Sequence, residues 1–299
     1  MKNIFRFLGL FLLFTSFTFL DKHATSGSGY DASLVNISKV QFKNETYFCI
    51  YMKRESEKIK AKYFAASDNA GNTPYQRYKK WSNNKNMIVV SSGTYMTRTS
   101  NGLYRPEGLT IDNGVVVNPR LSNKFDGLVI VYNTGGIVVS NLDEGNLTLM
   151  GGGISSGKKL NLRKSAPDNI TFTEWSKKQN ATVFQTHLLA HQNKLTIDEQ
   201  TSSKEKYKRR FLAVGEDEDG NKVHVIVQYP VHTTLYDGAK KVLAFLNGFK
   251  YMKVAFMVNL DTGGQDVLEL FKHDGSQYKE IKGEKELIKA VNLLAYYYE

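Results

Sequence analysis

Within Lys253–Asp266, KVAFMVNLDTGGQD, Asn259 and Asp261 stand one residue either side of Leu260, and Gly263-Gly264 follows at once. On an extended chain residues two apart share a face, so a carboxamide and a carboxylate project together beside backbone that a ligand can approach closely. A carboxylate there offers proton transfer or stabilisation of positive charge, with the amide as a hydrogen-bonding neighbour. A strand that merely ends in a polar turn would use the same residue types.

Other segments offer less. Met150–Lys159, MGGGISSGKK, copies the Gly-x4-Gly-Lys part of a phosphate loop. It places Lys159 where a hydroxyl would hold magnesium, and Asn161, Ser165 and Pro167 follow where a helix N-terminus is needed. It reads as a glycine loop, not a nucleotide site. Gln185 and His187 share one face of Thr182–Leu189, a pattern that solvated polar residues also give. Arg210 stands at the entrance of a strand pair, with Arg209 beside it. No His/Cys cluster has metal-ligand spacing, so no structural zinc or other metal site is inferred, and calcium on loop carboxylates stays open.

These residues need elements to hold them. Val254–Val258 is a short apolar run of central-strand type, preceded by Thr234–Phe249, whose apolar residues recur at helical spacing. Phe211–Gly215 and Val223–Val227 form a hairpin across the acidic turn Glu216–Asn221, and Met87–Val90 is a strand running into Ser91-Ser92-Gly93-Thr94-Tyr95. Asn113-Gly114 marks a hairpin within Gly108–Val117. Val40–Tyr51, Leu128–Tyr132, Ile137–Val139, Leu147–Met150 and Thr182–Leu189 read as strands. Tyr75–Trp81, Asp168–Gln179 and Glu284–Tyr298 read as helices. The expected class is α+β, a single domain with a mixed, largely antiparallel curved sheet packed by a few helices.

Composition sets the compartment. The 299 residues are 41% hydrophobic and 23% charged, ordinary globular usage. Lys2 and Arg6 precede the apolar run Phe7–Leu20, with small residues Ala24 and Ser26 after it, which predicts a signal peptide over 1–26 and a secreted, periplasmic or cell-envelope protein over 27–299, with 27–86 as an N-terminal strand-helix extension. Cys49 is the only cysteine, so no internal disulfide forms, and it reads as a buried strand residue. The net charge of +11 suits anionic glycans, phosphate esters or an anionic envelope, while export argues against nucleic acid and against a membrane association after the signal is removed.

Several segments, in order, resemble the phosphodiester glycosidase family. Val254–Gly264 is similar to its apolar strand ending NLDGGGS; Arg210–Gly215 to its Arg-x-x-(Ile/Val)-Gly hairpin, one residue longer; Arg105–Leu109 to its Pro-x-Gly-Leu segment; Gln185–Leu189 to a fourth. The chain departs at Ser91–Tyr95, where the family has Asn-Gly-Gly-Phe, and at Thr262 and Gln265. The resemblance implies a hydrolase that cleaves a sugar 1-phosphodiester at the anomeric carbon of a carbohydrate or phosphoglycan. It implies Asp261 and Arg210 as catalytic carboxylate and phosphate clamp, with Asn259, Gly263, Gly264, Ser92, Gly93, Gln185 and His187 around the substrate. Glu107, Asp112 and Asp266 are candidate second acids. The alternative is an inactive secreted glycan- or phosphoglycan-binding protein of the same fold, or a basic scaffold attached to anionic envelope polymers.

Overall fold

The computed structural model describes residues 29–299 except 55–56, 150, 152, 155–156, 249–251 and 284–285. The export segment expected over 1–26 and part of the glycine loop lie outside the described residues.

Aromatic and β-branched runs dominate the chain, and they pair. Among the described residues twenty-one strands gather into sheets of seven, five, five, two and two strands, against three α-helices. Every strand pairing among the described residues is antiparallel. The expected α+β class with a mixed sheet is therefore corrected to a mainly β architecture. The expected closing helix shows why: a 3-10 turn at Leu287–Lys289 leads into the strand Leu293–Tyr298, which lies between Ile59–Phe64 and Asn86–Ser92. Leu293 through Tyr297 are all buried. An apolar run of that kind fits a strand covered on both faces, where a helix would bury only one stripe of it.

The seven-stranded sheet runs Val35–Phe42, Glu45–Lys53, Lys222–Thr233, Tyr207–Glu216, Lys253–Leu260, Leu188–His191, Lys194–Leu195. Behind it stand two five-stranded sheets. One is centred on Gly127–Val131 and Thr182–Thr186, the other on Asn86–Ser92 and Leu293–Tyr298. The central core fills the space between: Leu212, Ile226, Val258 and Leu260 meet Val129 and Phe184 of one rear sheet and Val89, Leu268 and Tyr296 of the other. Helix Leu235–Gly248 covers the opposite face of the seven-stranded sheet, packing Ala239, Val242, Phe245 and Leu246 on Phe211, Ala213 and Met257. Helices Ala166–Lys178 and Pro74–Ser82 cover the two rear sheets through Phe172 and Trp175, and through Tyr78.

Local chemistry agrees with these placements. Asn113 and Gly114 take φ of 51° and 78°, as a two-residue hairpin turn requires, between Thr110–Asp112 and Val115–Asn118. Helix Pro74–Ser82 begins at a capping box of Thr73 and Gln76. Cys49 is buried in Glu45–Lys53, where burial pushes its thiol well above the usual range. No helix among the described residues is long and apolar enough to cross a membrane.

Candidate functional site

Three changes of sheet create the site. The run expected as one strand, Thr182–Leu189, is two: Thr182–Thr186 belongs to a rear sheet and Leu188–His191 to the seven-stranded sheet, with His187 at the change. Lys253–Leu260 leaves the seven-stranded sheet and the chain joins the other rear sheet as Leu268–Phe271, with Asp261 opening the crossing. Residues 93–95 run off the end of Asn86–Ser92. The crossings are joined to one another: the Asp261 N–H donates to the Gly93 carbonyl at 2.8 Å, the Asn259 N–H to the His187 carbonyl at 3.1 Å, and the Thr94 hydroxyl to the Gln185 carbonyl.

A cleft of about 830 Å³ opens where they meet, with Tyr95, Glu107, Lys124, Phe125, Asp126, His187, Arg209, Asp261 and Gly263 in its lining, together with residues 196–198 and 201–203. Strand alternation decides which arginine reaches it. Phe211 stands opposite Asn259, and Arg210 opposite Leu260. Arg209 therefore shares the face of Asn259 and Asp261, while Arg210 turns with Leu212 and Leu260 toward the core between the sheets. The clamp expected at Arg210 does not face the cleft. Its fully buried guanidinium donates to Gln228 Oε1 at 2.8 Å, the Val267 carbonyl at 2.7 Å, Ser91 Oγ at 3.2 Å and Asp266 Oδ1 at 2.5 Å. It ties the 261–267 crossing to the sheet. Arg209 donates through Nε to the Thr233 carbonyl at 3.1 Å and through one terminal nitrogen to the Glu205 carbonyl at 2.8 Å, which leaves N–H donors over for a ligand.

Asp261 is 6% exposed and accepts the Gly263 N–H at 2.9 Å. Burial raises its carboxyl above the usual range, against the opposing pull of that hydrogen bond and of Arg210. His187 packs edge-on to Phe125 at 4.8 Å between centroids. Burial first, then Arg209 and Lys124, lowers it to about 4, so the imidazole is neutral near pH 7. Asp126 accepts the Leu188 N–H at 3.0 Å and is likewise raised by burial.

The remaining expected residues divide between lining and support. Gly263 lines the cleft, and Gly264 follows it on the same turn outside the lining. Asn259 is 2% exposed and stands outside the cleft lining, its side chain near the Tyr95 phenol. Ser92 Oγ accepts the Val267 N–H at 2.9 Å and donates to the Gln265 carbonyl, and the Gly93 N–H donates to Asn292 Oδ1 at 3.0 Å; both residues hold the crossings together from within. Gln185 is fully buried, and its carboxamide accepts the N–H groups of Leu109 and Ser122 and donates to the carbonyls of Ser122 and Phe125. It shapes the loop that brings Lys124 and Phe125 to the cleft. Among the candidate second acids Glu107 lines the cleft, Asp112 is held by Arg77 and the N–H groups of Ala65 and Ala66, and Asp266 pairs with Arg210. Among the described residues no three His, Cys, Asp or Glu side chains gather to hold a metal ion.

Sequence reasoning did not single out Asp126, Lys124 or Phe125, which precede a strand with no local pattern to mark them. Arg209 was within its reach, because the period of two counted from Asp261 through the strand register selects it.

The sequence matches no protein-family model and no curated protein. Among solved structures the chain is similar to the zebrafish N-acetylglucosamine-1-phosphodiester alpha-N-acetylglucosaminidase catalytic domain, auto-inhibited by its pro-peptide, at 14% identity and a TM-score of 0.50 over 89% of this chain and 82% of that one. A Synechocystis protein of undefined function aligns at 11% identity and a TM-score of 0.47 over 89% of this chain and 62% of that one. A candidate exported protein of Burkholderia pseudomallei aligns at 9% identity and a TM-score of 0.41, over 84% and 74%. At such identities the likeness is one of fold, shared with the zebrafish domain.

Proposed function

We propose that this chain is an exported hydrolase that cleaves a sugar 1-phosphodiester at the anomeric carbon, with a carbohydrate or phosphoglycan as substrate. The observation that carries the reading is that Arg209 and Asp261, one residue beyond the paired Arg210 and Leu260 and so on one face, both line a cleft shared with Tyr95, Phe125 and His187. Apolar rings with a few placed polar groups suit a sugar. The fold shared with the zebrafish phosphodiester glycosidase domain supports the same chemistry.

Cleavage of the anomeric C–O bond builds positive charge on the sugar and negative charge on the departing phosphate. Asp261 stabilises the first, as a nucleophile or as a carboxylate beside an oxocarbenium-like carbon. Arg209, in the same lining, neutralises the second through the N–H groups its two backbone bonds leave over. A phosphate monoester leaves as a stable anion, so a general acid is less needed than charge. Asp126, Glu107, Asp198 and Glu205, in the same lining, are the further carboxylates available to activate water.

The test is a panel of sugar 1-phosphodiesters assayed with the wild-type protein and Asp261→Asn. Turnover by the wild type that is lost in the variant supports the reading. Binding without turnover would make the chain a glycan-binding protein, and neither would make it a scaffold.

A further inference from the structure

Tyr95 is a cleft side chain whose chemistry the proposed hydrolysis leaves unused. Its ring is fixed: it stacks on Phe125 at 5.4 Å between centroids with 20° between planes, and meets the His187 ring edge-on at 5.6 Å. Its carbonyl accepts the Glu107 N–H at 2.7 Å, and the carbonyl of Thr94 before it accepts from Asn292 at 2.9 Å. Packing and backbone bonds therefore determine where the hydroxyl lies.

The direction of its proton follows from Asn259. One N–H of that carboxamide donates to the Leu260 carbonyl at 3.1 Å, and the carboxamide acts on the nearby phenol in the sense that lowers its proton affinity, against burial. Asn259 Oδ1 is buried without a partner, so it does not take the phenol proton. Among the described residues no protein acceptor receives the Tyr95 O–H, which is left to donate to an occupant of the cleft.

Two cations, Arg209 and Lys124, stand in the cleft lining among its carboxylates. Arg209 and Lys124 are the charges that act with burial to depress His187, and Arg209 heads the charges acting on Tyr95, against Asp261 and Glu107. Burial outweighs Arg209 and keeps the phenol protonated well above its usual range. A hydroxyl that remains a donor across the physiological range, beside a guanidinium with N–H groups to offer, suits an anion.

We propose that the Tyr95 hydroxyl and the Arg209 guanidinium form one phosphoryl-binding subsite, in which Tyr95 donates a hydrogen bond to a phosphate oxygen as Arg209 neutralises its charge. This rests on the phosphodiester hydrolase reading of the cleft. No proton is transferred; the C–O bonding pair leaves with the phosphate, and the O–H of Tyr95 remains intact.

Methyl phosphate titrated into wild type, Tyr95→Phe and Arg209→Met, followed by calorimetry, tests the subsite without requiring turnover. The expected result is saturable binding by the wild type, weakened roughly tenfold or more in Tyr95→Phe, the loss of one hydrogen bond to a charged group, with an unchanged melting temperature. Arg209→Met should weaken it further. A wild type that binds no methyl phosphate, or a Tyr95→Phe protein that binds within twofold of it, overturns the subsite. Tyr95-dependent binding by a protein that cleaves no sugar 1-phosphodiester upholds the subsite and removes the hydrolase reading. Phosphodiester turnover by Tyr95→Phe at the wild-type kcat/KM, with wild-type methyl phosphate affinity, removes the subsite alone.

Discussion

Replacing the two adjacent arginines separately, Arg209→Met and Arg210→Met, should break two different things. Arg210 is enclosed in the core and makes four polar contacts, to Asp266, Gln228, Val267 and Ser91. Methionine fills much of the volume but leaves Asp266 without its partner and the Gln228 and Val267 oxygens without donors. Removing one member of a buried pair costs about 3–5 kcal/mol, because an uncompensated charge stays behind. At roughly 2–4 °C per kcal/mol for a chain of this size or somewhat smaller, Arg210→Met should melt about 6–20 °C below the wild type. Arg209 loses two hydrogen bonds to backbone carbonyls, on the order of 1–2 kcal/mol, and its melting temperature should fall by only a few degrees. The kinetic order is reversed: Arg209→Met should lower kcat/KM for a sugar 1-phosphodiester by roughly 100–1,000-fold, the cost of one transition-state donor. Differential scanning fluorimetry and initial rates on the same preparations separate the two. An Arg210→Met protein that melts within 3 °C of the wild type, a threshold of roughly 1 kcal/mol, would refute the reasoning. So would an Arg209→Met protein that keeps full activity.

Gln185→Leu should weaken sugar binding through the loop it supports, raising KM more than it lowers kcat and depressing the melting temperature, since four backbone groups of that loop and of Leu109 lose their partner; equal KM in both proteins would contradict this. His187 is held near 4 in the folded state against 6.5 when unfolded, so its contribution to stability is complete above pH 6.5 and is lost as pH falls toward 4, about 3 kcal/mol in all. His187→Gln should flatten that part of the stability curve in urea titrations at successive pH values. Asp261 has the opposite sign: its raised carboxyl favours folding at low pH and loses that advantage as pH rises through the folded value, so Asp261→Asn should gain melting temperature relative to wild type as pH rises from 4 to 7. A difference that stays flat across that range would show that the carboxylate is better solvated than its burial indicates.

The parts of the site that depend on local pattern were legible in the chain itself. The apolar run 254–258 with its polar end gave the strand and Asp261, and Asn113-Gly114 gave its hairpin. The parts that depend on pairing were not. Gln185 and His187 would share a face on a continuous strand, but the break at His187 sends one into the interior of a loop and the other into the cleft. Arg210 was favoured over Arg209 by motif position, and only the register against Asn259 shows that the two point to opposite faces. The helix expected over Glu284–Tyr298 failed because both faces of its last six residues are covered by neighbouring strands, and coverage is a property of the assembled sheet.

That same strand sets a timetable. Leu293–Tyr298 fills the gap between Ile59–Phe64 and Asn86–Ser92, partners made some two hundred residues earlier, and Asn292 bonds both Gly93 and Thr94. A ribosome releases the N-terminal members of this sheet long before the piece that joins them exists, so they wait with open edges that invite wrong partners. Loop closure over such a span is slow, and the cleft inherits the delay, because the Gly93 N–H and the Thr94 carbonyl, beside Tyr95, gain their Asn292 partner last. Activity should therefore emerge late during refolding, after the seven-stranded sheet's hairpins have formed.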